Sequence, residues 1–370
     1  MNILFFSSTL SGGGAERVLV NITNELAKRG HHVTIAINSN KIGYEIDPSI
    51  CIMPAPQKQW YQGRNLIRRL FRNFAMARIY RAHTKKAIQT VRPDVIVTFL
   101  FCNMWSIIRY HGSIPIVHSE HNAYDRIVEL QYKFKRFVLN RFFDRVFVLT
   151  PFDQGYAKAK GLKNTIVMSN PNTYSTISVE DYHALFPSRR NILMVGRVDF
   201  WNVKGMDIAI EVFSNIADNI QGVDLDIVGP GSNHSIEYLK HLAVQKGVGE
   251  RVHFLGYSHD VKNIMRQHKI FLLSSRTEGF PMVVTEAMTQ GLPCVSFERL
   301  ASAIILNGMD GVLVNDGDLK SLEHAIVDLL KDDEKRNSMG LAGLINVRRF
   351  SAERIAIRWE ESLRTLISSR

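Results

Sequence analysis

Apolar residues along this chain fall into short runs separated by amphipathic segments, and the pattern starts twice. Residues 2–37 open with NILFFSS, pass through the glycine run SGGG, continue as AERVLVNITNELAKRG and close on HVTIAI. The outer segments are apolar runs of strand length. The middle one places Val18, Leu19, Ile22 and Leu26 near a 3.6-residue period. The stretch therefore predicts strand, glycine loop, helix, strand, with Gly30 at the left-handed position after the helix. Residues 191–229 repeat the plan as NILMVG, the polar loop RVDFWNVKG, the helix MDIAIEVFSNIADNI and DLDIVG.

Further strand candidates follow each opening. They are DVIVTFL (94–100), IPIVHSE (114–120) and RVFVLT (145–150) in the first half, then RVHFLG (251–256), IFLLSS (270–275) and PCVSF (293–297) in the second. Continuous apolar strands alternating with helices predict parallel sheets covered on both faces. The fold class is α/β with two doubly wound, Rossmann-like domains. The pattern sets these at 1–180 and 181–350, with the boundary inside the polar stretch 173–190. A last amphipathic helix at 351–370, with no strand after it, is expected to return to the N-terminal domain.

Composition adds an anionic partner. The chain has 370 residues and a formal net charge of +11. Residues 48–93 contain no Asp or Glu, and ten Lys or Arg lie between Lys58 and Arg92. Such a balance suits nucleic acid, a membrane surface or a phosphorylated substrate. No apolar run approaches the ~18 residues of a membrane span. MNILFFSSTL lacks a basic leader and reads as a first core strand, not a signal peptide. Three widely spaced cysteines, Cys51, Cys102 and Cys294, fit reduced thiols in a cytosolic protein.

Three loops carry candidate chemistry. SGGGAER (11–17) joins a strand to a helix; it fits equally a tight turn and a loop that brings the backbone close to an anion. GRVDFWNVKG (196–205) places Arg197 and Lys204 after a first strand, where open α/β sheets bind ligands. RTEGFPMVVTEAM (276–288) sets Glu278 before a helix and Glu286 inside it. Pro281 suits the first helical position, which would leave the amides of Met282, Val283 and Val284 for phosphate oxygens. A helix cap explains one glutamate of the two. DLD (224–226) within a strand and DGD (316–318) in a turn read as structural, not as metal motifs.

E-G-F-P-M-V-V-T-E has the form of the E-x7-E motif of retaining glycosyltransferases of the GT-B fold. The chain resembles glycosyltransferase family 4, of the bacterial lipid-linked oligosaccharide and surface polysaccharide type. GGAER, SEHN (119–122), GR…KG and EGFP…EAM…GLP match in order and spacing over nearly the full chain. The resemblance implies two Rossmann-like domains facing across a cleft, an N-terminal one for acceptor and a C-terminal one for nucleotide-sugar. It implies that Glu278 contacts the sugar hydroxyls, Glu286 the nucleotide ribose, and Arg197 and Lys204 the diphosphate. Gly13 and Gly14 would let the loop close over the donor, Gly279, Phe280, Met282 and Val283 complete the donor set, and His121 would face the reacting sugar. No cofactor and no metal are implied. Many relatives carry a Cys-Pro-Ser/Thr-Gly-Pro-like segment after the GLP strand, where this chain reads FERLASAIILNGMDGVLV (297–314).

The expected activity is retaining transfer of a hexose or N-acetylhexosamine from a UDP-sugar to a glycan acceptor, lipid-linked, in bacterial surface polysaccharide or glycoprotein glycan assembly. RNLIRRLFRNFAMARIYRAHTKKAIQTVR (64–92) sets Leu66, Leu70, Phe74, Ala77, Ile79 and Tyr80 at helical spacing among Arg68, Arg69, Arg72, Arg78, Arg81, Lys85 and Lys86. A basic amphipathic helix favours an anionic membrane surface, so the expected place is the inner face of the cytoplasmic membrane. Arginines also match the diphosphate of a lipid carrier. The alternatives are a UDP-sugar 2-epimerase of the same fold and a basic nucleic-acid-binding protein. No recognised nucleic-acid motif supports the latter.

Overall fold

The computed structural model describes residues 1–57, 66–122, 130–299 and 305–369. The chain divides into two compact units, Met1–Thr173 with Ala352–Arg370, and Tyr174–Ser351.

The first unit is built on seven strands: β1 (Asn2–Ser7), β2 (His32–Ile37), β3 (Cys51–Pro54), β4 (Val95–Phe99), β5 (Ile116–Ser119), β6 (Arg145–Val148) and β7 (Thr165–Val167). All pair in parallel, in the order β3-β2-β1-β4-β5-β6-β7. The helices are α1 (Gly14–Lys28), α2 (Leu66–Val91), α3 (Met104–Tyr110), α4 (Leu130–Phe137) and α5 (Pro151–Ala159). Leu4, Phe6, Ile96, Ile116 and Val146 form one core cluster with Ala87 and Ile88 of α2 and Ile107 of α3. Each of these side chains apart from the smaller Ala87 contributes ~1.5–3 kcal/mol on burial. The C-terminal helix Ala352–Ser368 belongs to this unit and packs on α1. Its buried Trp359 meets Phe5, Phe99 and Phe147 at ring distances of 6.2, 5.9 and 4.6 Å.

The second unit has six parallel strands: β8 (Arg190–Val195), β9 (Leu225–Val228), β10 (Val252–Gly256), β11 (His268–Leu273), β12 (Cys294–Phe297) and β13 (Gly311–Val314), ordered β10-β9-β8-β11-β12-β13. Helices α6 (Val179–Leu185), α7 (Trp201–Lys204), α8 (Met206–Ile216), α9 (Asn233–Gln245), α10 (Val261–Arg266) and α11 (Met282–Thr289) connect them, followed by helices Leu319–Lys331 and Asp333–Asn346. Ile192, Leu225, Ile270 and Val295 from four strands close on Met206, Ile210 and Phe213 of α8.

In both sheets the strand order reverses direction next to the first strand of the unit. The reversal lies between β1 and β4 in one sheet and between β8 and β11 in the other. Loops leaving the carboxyl ends of two such strands diverge and leave a crevice, the usual ligand position in this architecture. Three strands that the apolar pattern did not mark, β3, β7 and β13, all lie at sheet edges.

Candidate active site

At the switch point of the second unit, the loops after β8 and β11 are locked together. Residues that read as a polar loop instead form a 3-10 turn, Val198–Phe200, and the helical turn α7. Gly205 follows with φ +65°, and a Cβ there would stand 1.9 Å from the Ser274 carbonyl oxygen. Only glycine permits that approach. Ser274 Oγ returns a hydrogen bond to the Gly205 carbonyl at 2.7 Å. Arg276 grips Asp207 with both terminal nitrogens, at 2.8 and 2.7 Å, and donates to the Asn202 carbonyl at 2.6 Å. The forked geometry fixes distance and angle together.

These contacts bring two of the motif residues together. Lys204 Nζ lies 2.8 Å from Glu278 Oε1, with side chains 28% and 12% exposed. Ser275 Oγ donates to the same oxygen at 2.7 Å. Arg197 leaves the end of β8 exposed, its guanidinium 5.1 Å from the centre of the Phe200 ring.

The α11 entry differs from the sequence expectation. Pro281 is the N-cap, not the first helical residue. Two of the three amides expected to be free are already used. Met282 N donates to the Phe280 carbonyl at 2.8 Å and Val284 N to the Pro281 carbonyl at 2.9 Å. The Val283 amide has no such backbone partner among the described residues. Phe280 is buried edge-to-face against Phe350 at 5.5 Å, so its ring shapes the loop from below. Gly279, Met282 and Val283 are partly exposed around it, whereas Glu286 is only 5% exposed within the helix.

In the first unit, the glycine loop after β1 ends on Gly13, the N-cap of α1, and Gly14 is the first helical residue. A Cβ on Gly13 would stand 2.2 Å from Glu16 Oε2, and Tyr44 donates its hydroxyl to the Gly13 carbonyl at 2.8 Å. The left-handed residue of the run is Gly12, at φ +88°. Opposite, the turn after β4 holds three non-glycine residues left-handed: Leu100, Phe101 and Asn103, at φ +50°, +59° and +52°. Strain of ~1–3 kcal/mol per such residue persists only where neighbours impose it. Here Asn38 and Asn103 exchange side-chain hydrogen bonds of 3.1 and 3.0 Å.

His121 follows β5. Its ring stacks on Phe99 at 4.8 Å, and Phe99 in turn stacks on Trp359. Its Nε2 lies 3.0 Å from Ser119 Oγ. Burial pushes its imidazole down to about 4, so it is neutral at pH 7. The preceding Glu120 is buried and binds Arg136 at 3.1 Å. It also accepts from the backbone amides of His121 and Asn122, each at 3.1 Å. Burial alone would raise its carboxyl, but the His118 and Arg136 contacts outweigh that and hold it at about 2. His118 is itself buried, stacked on Phe101.

A model of "Glycosyltransferase Family 4" matches residues 12–172, and one of "Glycosyl transferases group 1" matches residues 189–332. The chain belongs to the family-4 glycosyltransferases. An uncharacterized glycosyltransferase of Haemophilus influenzae is 25% identical, over 96% of this chain and 98% of its own length. A Campylobacter jejuni α-1,4-N-acetyl-D-galactosaminyltransferase, named for a diNAcBac-PP-undecaprenol-linked GalNAc acceptor, is 26% identical, over 92% of this chain and 91% of its own. Among solved structures, sucrose-phosphate synthase from Thermosynechococcus elongatus superposes with a TM-score of 0.80 at 19% identity, over 100% and 99% of the two chains. Anabaena Alr3699/HepE, in complex with UDP and glucose, superposes with a TM-score of 0.75 at 19% identity, over 98% and 99%. These neighbours are GT-B enzymes, and the fold is GT-B.

In this glycosyltransferase the remaining motif residues sort plainly. Asp224 meets Arg251 and His253, and Asp226 meets His268 at 2.9 Å, so DLD braces strands. Asp318 caps helix Leu319–Lys331 through the Ser321 amide at 3.0 Å. Among the described side chains of α2, His83, Thr84, Ala87 and Ile88 are buried, while Phe74 and Ala77 of the expected apolar stripe are exposed. Arg78, Arg81 and Lys85 are exposed and Arg72 partly so. Residues 58–65, and the side chains of Leu66, Arg68, Arg69 and Leu70, lie outside the described part, as do residues 300–304 of the divergent segment. The sequence reading missed Ser275, Arg276, Arg136 and Trp359. Arg276 and Trp359 meet partners far along the chain, Arg136 meets Glu120 16 residues before it, and Ser275 lies just ahead of the motif that carries Glu278.

Proposed function

We propose that the enzyme moves a hexose or N-acetylhexosamine from a UDP-sugar to a lipid-linked glycan, with retention and without a metal, in assembly of bacterial surface polysaccharide or glycoprotein glycan. The observation that carries the reading is the Lys204–Glu278 contact, which sets a cation and a carboxylate side by side at the switch point between β8 and β11. The cation suits a diphosphate, and the carboxylate suits the hydroxyls of the sugar attached to it. Glu278 Oε1 takes both Lys204 and Ser275, leaving Oε2 to meet a sugar hydroxyl.

The anomeric C–O bond to phosphate breaks as positive charge grows on the sugar and negative charge on the departing UDP. Arg197, Lys204 and the Val283 amide meet that charge, each charged hydrogen bond supplying ~1.5–3 kcal/mol. The acceptor oxygen attacks from the same face, and its proton passes to the leaving phosphate oxygen. Glu286 holds the ribose diol, and Gly13 and Gly14 admit the donor to the loop after β1. His121, neutral at pH 7, offers a hydrogen bond to the sugar without adding a cation beside the developing positive charge.

The UDP preference is supported by the UDP complexes of Anabaena Alr3699/HepE, and the lipid-linked acceptor by the name of the Campylobacter relative. Among the described residues no helix is long and apolar enough to cross a membrane. Attachment to the inner face of the cytoplasmic membrane then falls to α2, with Arg68, Arg69, Arg72, Arg78, Arg81 and Lys85. Calorimetry with UDP and GDP tests the donor assignment: tighter UDP binding is expected, and preferential GDP binding would overturn it. Flotation with anionic vesicles, against neutral ones, tests the membrane assignment in the same way.

A further inference from the structure

A groove of about 680 Å³ opens in the first unit between α2 and α3. Tyr80, Phe101, Met104, Trp105 and Leu139 line it, with Arg81 and Arg109 among the same walls. We propose that this groove holds the first isoprene units of a polyprenyl diphosphate, with the diphosphate on Arg81 and Arg109. The proposal rests on the lipid-linked acceptor reading and deepens it, naming where the lipid part of the acceptor binds.

The groove has the volume of a small-molecule site, ~300–1,000 Å³, and its lining is an apolar trough with two cations. Both arginines are exposed, and neither has a carboxylate partner among the described residues. The surrounding sequence is biased in the same direction. Segments 66–91, 100–113 and 130–143 contain no Asp or Glu, and they pack on one another through α2, α3 and the 3-10 turn after α4. Apolar surface continues outward. Trp105 is 61% exposed and stacks on Phe134 at 6.2 Å. On α2, Phe74 and Phe71, 73% and 71% exposed, precede Ala77 at helical spacing. An exposed aromatic track of this kind marks an interaction site. A free phosphate needs no apolar trough, and a flat headgroup layer needs no cavity. An amphiphile with a charged head and an extended apolar chain uses both. The strained turn Leu100–Asn103 places Phe101, Asn103 and Met104 on this groove, next to the switch point between β1 and β4.

The test is calorimetry on the full chain saturated with UDP, so that the donor's own diphosphate site is filled. The probes are farnesyl diphosphate, inorganic diphosphate and farnesol. Farnesyl diphosphate should bind at least tenfold more tightly than either fragment. Ala77→Trp, at an exposed position, should fill the groove and weaken farnesyl diphosphate at least tenfold while leaving inorganic diphosphate unchanged. Trp105→Ser should weaken it as well, and Arg81→Ser with Arg109→Ser should weaken both phosphorylated probes. Equal affinity for farnesyl and inorganic diphosphate, or no response to Ala77→Trp and Trp105→Ser, would overturn the site. Transfer assays separate the two readings. Activity on free glycan but not on polyprenyl-diphosphate glycan ends the lipid-linked acceptor, and the groove's biological role with it. Activity on lipid-linked glycan with groove variants unaffected ends the groove alone.

Discussion

Replacing Glu278 by glutamine should move binding and turnover in opposite directions. Lys204 Nζ sits 2.8 Å from Glu278 Oε1. At an effective dielectric of about 20 the bare attraction is roughly 6 kcal/mol. That is an upper bound, because 28% of the Lys204 side chain meets water and each charge gives up hydration to form the pair. Surface pairs retain ~1 kcal/mol or less, and hydrogen bonds to charged groups ~1.5–3 kcal/mol. A diphosphate approaching Lys204 competes with this carboxylate and is repelled by it. Glu278→Gln keeps the shape and an acceptor for Ser275 but removes the charge. UDP affinity should therefore rise about five- to tenfold, or ~1–1.4 kcal/mol. Turnover should fall at least tenfold, because the carboxylate that orders the sugar is lost. Lys204→Met is the control and should weaken UDP by about 10–150-fold, from the same ~1.5–3 kcal/mol. UDP calorimetry and UDP release from donor measure the two quantities. If Glu278→Gln weakens UDP as much as Lys204→Met does, the two residues do not compete for one charge and the reasoning is wrong.

Gly205→Ala should lower the denaturant midpoint and cut turnover more than tenfold, since the added Cβ meets the Ser274 carbonyl at 1.9 Å and a left-handed non-glycine residue costs ~1–2 kcal/mol; an unchanged urea midpoint would contradict the packing. The buried His121 imidazole titrates at about 4 against 6.5 when unfolded. Its contribution is complete above pH 6.5 and is lost as pH falls toward 4, up to about 3 kcal/mol. His121→Asn should flatten the urea midpoint between pH 6.5 and 4, and an equal slope in both proteins would count against it. Glu120, held at about 2 against 4.5, should add a second loss only below pH 4.5. Activity should persist in EDTA; loss restored by Mg²⁺ or Mn²⁺ would refute a metal-free site.

The strands at the centre of each sheet were legible because both their faces are buried, so runs such as NILFFSS and IFLLSS are apolar almost throughout. Of the edge strands only β10, read as RVHFLG, was legible; β3, β7 and β13 were not. β3 reads Cys-Ile-Met-Pro and is largely exposed, β7 has three residues, and β13 follows a turn within a segment that shows no clear period. RVDFWNVKG looks like a loop by composition. It turns helical because Gly205 lets the chain press against Ser274, a contact made 69 residues away. Glu278 and Lys204 were legible as motif members, but their meeting depends on Arg276 holding Asp207, and neither residue stands out locally. The face of α2 was the hardest to read. Its arginines and phenylalanines follow a helical period, yet among its described side chains the buried ones are His83, Thr84, Ala87 and Ile88. The core of the unit chooses that side, leaving Phe71 and Phe74 outside. Trp359 likewise reads as one apolar residue in a last amphipathic helix, and only the fold places it against Phe99, behind His121.

Retaining, metal-free transfer from a UDP-sugar is tested most directly by incubating the enzyme, in EDTA, with a panel of UDP- and GDP-sugars and a lipid-linked glycan, and following nucleotide release and the anomeric configuration of the product by NMR. UDP release from at least one UDP-sugar, a product with the donor's anomeric configuration, and at least a tenfold slower reaction for Arg197→Ala are expected. Release from GDP-sugars alone, an inverted product, or full activity in Arg197→Ala would contradict it.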